Sequence, residues 1–167
     1  MTIKIGKLKF NTMLTFAISV FLLVVTPGPA VLSLAGIGSA FGYSAGIRYL
    51  SGLIIGYHLA ILAVVSGLAS IILAAPWIRN ILLVASAGYL GFLAIRIAYA
   101  ESKIAFITPE AKPSLISGLG LQLVNPKAYA VNTALMSGFS FYPDSFTIEI
   151  AVKLIIMNSI WIPLHLC

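Results

Sequence analysis

Two short stretches of this chain combine residue types that an apolar run rarely carries. Gln122, Asn125, Pro126 and Lys127 put two amides, a helix breaker and a fixed positive charge inside the apolar run between Pro113 and Pro143. Thr26-Pro27-Gly28-Pro29 interrupts the first apolar run in the same way. Proline lacks a backbone donor and clashes with the turn before it, so a helix must open at each place. Opened ends expose N–H and C=O groups that have no partner within the helix. The N-terminal end of a half-helix suits an anion and the C-terminal end a cation. Gly28 would let a ligand approach the backbone closely. Asn125 can both donate and accept, and Lys127 can neutralise a carboxylate or change its protonation state. Thr26, Pro27, Gly28, Pro29, Gln122, Asn125, Pro126 and Lys127 are therefore the candidate solute-binding residues, with no catalytic group or metal ligand among them.

The solvent around these residues follows from composition. The chain has 167 residues, is 60% hydrophobic and 8% charged, and has a mean hydropathy of +1.09. Soluble domains carry about 25% charged residues, so lipid must be the main solvent here. In lipid, a charge and a broken backbone must face protein or water. The net charge of +6 reads as charge flanking the membrane, facing anionic headgroups. The basic residues form no stripe, which argues against nucleic acid as a partner. The single Cys167 permits no intrachain disulfide.

A spanning helix needs about 20 apolar residues. The first predicted span runs from Met13 to about Leu34 and opens near Thr26. Lys4, Lys7 and Lys9 before it imitate a signal peptide, but the uncharged run up to Arg48 is too long for one, so a retained span is expected. Gly38, Gly42 and Gly46 follow at four-residue spacing and suit either close helix packing or a glycine-rich loop. The second span, Tyr49 to about Ala75, carries Gly52 and Gly56, a packing face, and His58, expected to be a hydrogen-bonded packing residue rather than a proton relay. Ala75-Pro76-Trp77 is a turn at the membrane boundary. The third span, about Arg79 to Tyr99, has arginines that can reach opposite surfaces and another small-residue face at Gly88, Tyr89 and Gly91. The fourth runs from about Ser114 to Phe139. The fifth begins near Phe146, where Glu149 and Lys153 have the spacing of a surface helix pair at the boundary.

The fold class expected is an all-α polytopic membrane protein with five predicted transmembrane helices. Residues 100–113 form the one polar connection, and they split a single domain, 1–167, into a first repeat of about 10–99 and a second of about 114–167. Each half opens with a proline-broken span. Three spans per half force the second half to run inverted, as in transporters whose broken helices 1 and 4 meet near the midplane. A complete 3+3 bundle needs a span after the fifth, so the second repeat reads as incomplete. An enzyme would need clustered His, Cys or carboxylates facing a cavity; His58 and His165 are remote from each other in sequence. Lys4, Lys7, Lys9 and Arg79 balance Arg48, Arg96, Lys103 and Lys112, so charge does not set the orientation.

The chain resembles the LysE/RhtB family of amino-acid exporters. The residues that carry the resemblance are Thr26-Pro27-Gly28-Pro29-Ala30, Gly42 with Gly46-Ile47-Arg48, Gly88-Tyr89-Leu90-Gly91-Phe92-Leu93-Ala94, and Asn125-Pro126-Lys127-Ala128. It covers essentially the whole chain. The resemblance implies six helices and a multi-pass protein of the cytoplasmic membrane that exports amino acids or their derivatives. It also implies an ion gradient, of protons in the first instance, in place of a cofactor. A zwitterionic amino acid would then lie between the two breaks, and the partners would be that substrate, the bilayer and a possible second copy of the chain. The alternative is a transport-inactive membrane piece, or a subunit that depends on a partner.

Overall fold

A computed structural model describes residues 9–67, 74–101 and 113–166, without the side chains at 79, 86 and 96–101. All regular structure among the described residues is helical. Helices α1 (Phe10–Val25) and α2 (Pro29–Phe41) occupy the first expected span. Thr26 precedes a proline, which disfavours helical backbone; its ψ of 117° is extended and α1 stops there. Pro29 restarts the helix from its first position, where a missing N–H costs nothing. Gly42, with φ of 82°, turns the chain directly into α3 (Tyr43–Val65), a backbone conformation that favours glycine. Helix α4 runs over Pro76–Glu101. The fourth expected span is split into α5 (Leu115–Val124) and α6 (Pro126–Gly138), and α7 covers Phe146–Leu166. The expected polar connection lies outside the described residues from 102 to 112, as do Arg79 and Arg96 in their side chains.

By length and composition α3, the first part of α4 (Pro76–Ile95) and α7 can each cross a membrane, and α1 with α2 can make a fourth, broken span. Helix α5 is apolar but short. Its continuation α6 carries Lys127, Asn132, Thr133 and Ser137, which is why the split fourth segment falls below the hydropathy of the others although the sequence reading counts it as a span.

The chain forms two compact units. Residues 27–130 make one, with α2, α3, α4, α5 and the start of α6. Within it α3 and α5 meet backbone to backbone. A Cβ on Gly52 would collide with the Leu115 carbonyl, and one on Gly118 with the Tyr49 carbonyl. A Cβ on Gly56 would sit 2.7 Å from Gln122 Cβ. The glycine pair of α3 is thus a packing face within the unit, as expected. The Gly38–Gly46 stretch serves both readings: Gly42 makes the turn, and a Cβ on Gly46 would lie 3.5 Å from Gly38 Cα. The expected face at Gly88 and Gly91 is different, because nothing among the described residues lies within 4 Å of a Cβ at either position. His58 is exposed and its Nδ1 pairs with Ile54 O of its own helix at 2.8 Å.

Residues up to 26 and from 131 onward make the other unit. Phe16 of α1 packs edge-on to Phe139 and tilted to Phe141, with ring centroids 5.4 and 5.6 Å apart. Lys9 N–H donates to Phe141 O at 3.0 Å. Glu149 and Lys153 depart from the expected surface pair. They are 8% and 3% exposed and 2.8 Å apart. Lys153 Nζ also donates to Met136 O at 2.7 Å and Phe139 O at 2.6 Å. Glu149 accepts the Tyr142 N–H at 2.9 Å. The pair is buried because it satisfies carbonyls at the end of α6 and the turn that follows, groups that have no partner inside the helix.

Candidate functional site

Asn125 and Pro126 determine the second break. Asn125 ends α5 with extended backbone, ψ of 104°, as the residue before a proline should. It also opens α6: its Oδ1 accepts the Lys127 N–H at 3.1 Å, the bond of an asparagine N-cap. Its Nδ2 donates to Gln122 Oε1 at 3.3 Å. Gln122 and Asn125 are both buried, so their amides satisfy one another where water is absent. Tyr129 then donates through its hydroxyl to Leu123 O at 2.8 Å. That bond ties α6 back onto one of the carbonyls that α5 leaves without a helical partner.

The first break is built differently. Gly28 is the N-cap residue of α2 and offers no side-chain cap, so the first N–H groups of α2 are not covered by a residue's own oxygen. Over Gly28 lies the Lys127 side chain. A Cβ on Gly28 would stand 2.9 Å from Lys127 Cδ and 3.3 Å from Nζ. Within the unit of residues 27–130 the two breaks therefore touch, through Gly28 and Lys127. Gln122 joins the same level through its contact with Gly56 of α3. Pro29 and Pro126 each start a half-helix.

The remaining candidates hold other positions. Pro27 is exposed. Thr26 belongs to the other unit, and its hydroxyl donates to Leu22 O at 2.8 Å, closing the end of α1. Sequence reasoning missed Tyr129, whose signal was available: a hydroxyl-bearing aromatic one turn beyond Asn125. It also missed Ser33 and Tyr49, both buried in the same unit. No group of three or more His, Cys, Asp or Glu among the described residues could hold a metal ion.

Helices that can cross a bilayer, broken at prolines with polar side chains drawn to the breaks, define a polytopic membrane protein of transporter type. The sequence model for LysE type translocators matches residues 21–165. The chain belongs to the LysE type translocator family and is a membrane protein that moves a solute. No curated protein and no solved structure matches it.

Proposed function

We propose that the protein exports amino acids or amino-acid derivatives across the cytoplasmic membrane, driven by an ion gradient, in the first instance of protons. The substrate binds where residues 27–29 and 125–127 come together, with Gln122 beside them; Thr26 contributes by ending α1 at the break. The observation that carries this reading is the Lys127 side chain lying against Gly28. It brings a fixed cation to the N-terminal end of α2, which itself bears partial positive charge. Two positive features that converge favour a carboxylate between them, bound by the ammonium and by backbone N–H groups. Gly28 leaves room for that approach. The Oδ1 of Asn125 and the Oε1 of Gln122 offer acceptor atoms for the α-ammonium of a zwitterion. A 3+3 inverted arrangement, which the order of the spans supports, would put such a site within the bilayer.

The test is flux through the purified full chain in proteoliposomes, using labelled amino acids and an imposed proton gradient. The wild-type protein should carry at least one amino acid. Lys127→Met should lower that flux roughly 10- to 100-fold at low substrate, the kinetic equivalent of losing a charged hydrogen bond of about 1.5–3 kcal/mol. Undiminished flux in a variant that inserts normally would remove Lys127 from the site. No flux of any amino acid through the inserted wild-type protein would overturn the transport reading.

A further inference from the structure

Tyr49 of α3 is fully buried, and its hydroxyl has no partner in hydrogen-bonding geometry among the described residues. The polar groups beside it are the side chains of Ser33 on α2 and Tyr89 on α4. Both of these are turned to backbone: Ser33 Oγ donates to Ala30 O at 3.0 Å, and Tyr89 Oη to Ser117 O at 3.2 Å. Hydroxyls from three helices thus come together, Ser33 and Tyr89 close enough to act on the Tyr49 hydroxyl but neither in good hydrogen-bonding geometry with it. A buried hydroxyl left without a partner costs about 1–3 kcal/mol. The Tyr49 hydroxyl thus has hydrogen-bonding capacity that the described residues do not satisfy.

Its level in the unit relates it to the breaks. Ser33 lies five residues along α2 from Gly28, and Ser117 lies five residues before Gln122 on α5. At 1.5 Å per residue both helices put the hydroxyls roughly 7–8 Å from the Gly28–Gln122–Lys127 level. That is about the reach of an extended amino acid whose polar group lies three or four bonds beyond its Cα. The three hydroxyls of the cluster are uncharged. Glu101 and Glu110 are the only acidic residues between 27 and 130, and Glu101 is twelve residues past Tyr89, at the far end of α4. Among the described side chains a cationic end would find no counter-ion there, and an apolar end would leave the Tyr49 hydroxyl unsatisfied.

We propose that Tyr49, flanked by Ser33 and Tyr89, is a specificity-determining subsite that takes the uncharged hydrogen-bonding end of the substrate's side chain, an amide or an alcohol. This rests on the amino-acid transport reading above. It makes Tyr49 a substrate-contacting residue at a level of the unit separate from Lys127.

Counterflow of labelled glutamine and labelled leucine through the full chain in proteoliposomes tests it, because the two side chains are similar in size and differ in polarity. The wild-type protein should carry glutamine faster than leucine. Tyr49→Phe should lower the glutamine-to-leucine ratio at least tenfold, in the manner of a site that has lost its hydrogen bond to the substrate. Its thermal midpoint should fall little, since the deleted hydroxyl makes no well-formed hydrogen bond among the described residues. Ser33→Ala should shift the ratio in the same direction and serves as the readout should Tyr49→Phe fail to insert. An unchanged ratio while amino acids are still carried would overturn the subsite and leave the transport reading standing. So would a wild-type preference for leucine, or an equal loss of both fluxes with a lowered midpoint. Wild-type protein that carries no amino acid would overturn the transport reading, and the subsite with it.

Discussion

Lys153 donates to Glu149 Oε1, Met136 O and Phe139 O, so all three N–H groups of its ammonium are engaged. At 3% exposure it is a buried charge with its counter-ion and acceptors in place. Lys127 is only half-buried, and it rests on the backbone of Gly28. The first lysine holds a helix end together; the second stands at the proposed carboxylate site. Lys153→Met should therefore act on stability. It strands the Glu149 carboxylate in the interior and frees two carbonyls of the α6 end, and removing one partner of a buried pair costs about 3–5 kcal/mol. A lowered unfolding midpoint in detergent, measured beside the Lys127→Met protein, checks this; the Lys127 variant should stay close to wild type. The burial of Glu149 and Lys153 was not legible in the sequence. Four-residue spacing is the same for an exposed pair and a buried one, and what buries this pair is a set of carbonyls from residues 136 and 139 that no side-chain pattern announces. Asn125, Pro126 and Lys127 were legible because proline and charge are costly in an apolar run wherever they fall.

Among the helices, glycines with the same spacing do different things, and the neighbour decides which. Gly52 faces the Leu115 carbonyl of α5, a fixed backbone atom, whereas Gly88 on α4 faces nothing among the described residues within 4 Å. A methyl group at Gly52 can be accommodated only by moving two helices apart. Gly52→Ala should thus destabilise the unit by about 1–3 kcal/mol, the cost of overpacking a tight contact. Gly88→Ala should be neutral or stabilising by about 0.5–1 kcal/mol, because alanine restricts the unfolded chain and suits a helix. Thermal unfolding of the two variants under one condition separates them, and a destabilised Gly88→Ala with an unaffected Gly52→Ala would contradict the packing described here. Sequence showed both as small-residue faces. It could not show that α5 presents its own glycine, Gly118, to α3 while no described element presents backbone to Gly88. Helix ends were easier to read, since Pro29, Pro126 and the positive φ of Gly42 each act within one or two residues. Tyr129 was missed for the converse reason: its bond to Leu123 O closes over a break, and helical periodicity assigns it no task there.

At the scale of the whole chain the all-α membrane class was legible from composition, and the family match over residues 21–165 agrees with the spaced motifs that suggested it. The inverted arrangement is a proposal that rests on span order. Counting the first broken pair as one span and α5 with α6 as another, the chain crosses the membrane three times between the turn at the start of α3 and the turn before α7. The turn at Tyr43 follows the first crossing, and the turn at Asp144 follows the fourth, so three crossings separate them and they must open on opposite faces. Were α5 and α6 to enter and leave on one side, only two crossings would intervene and the turns would share a face. Tyr43 and Asp144 are both exposed, which makes them suitable markers. With Cys167→Ser as the background, Tyr43→Cys and Asp144→Cys proteins in sealed, oriented vesicles should react with a membrane-impermeant maleimide from opposite sides. Labelling of both from the same side would replace the inverted repeat with a re-entrant α5–α6 pair, and would move the Asn125–Lys127 break from the inside of a crossing helix to the tip of a loop dipping into the bilayer.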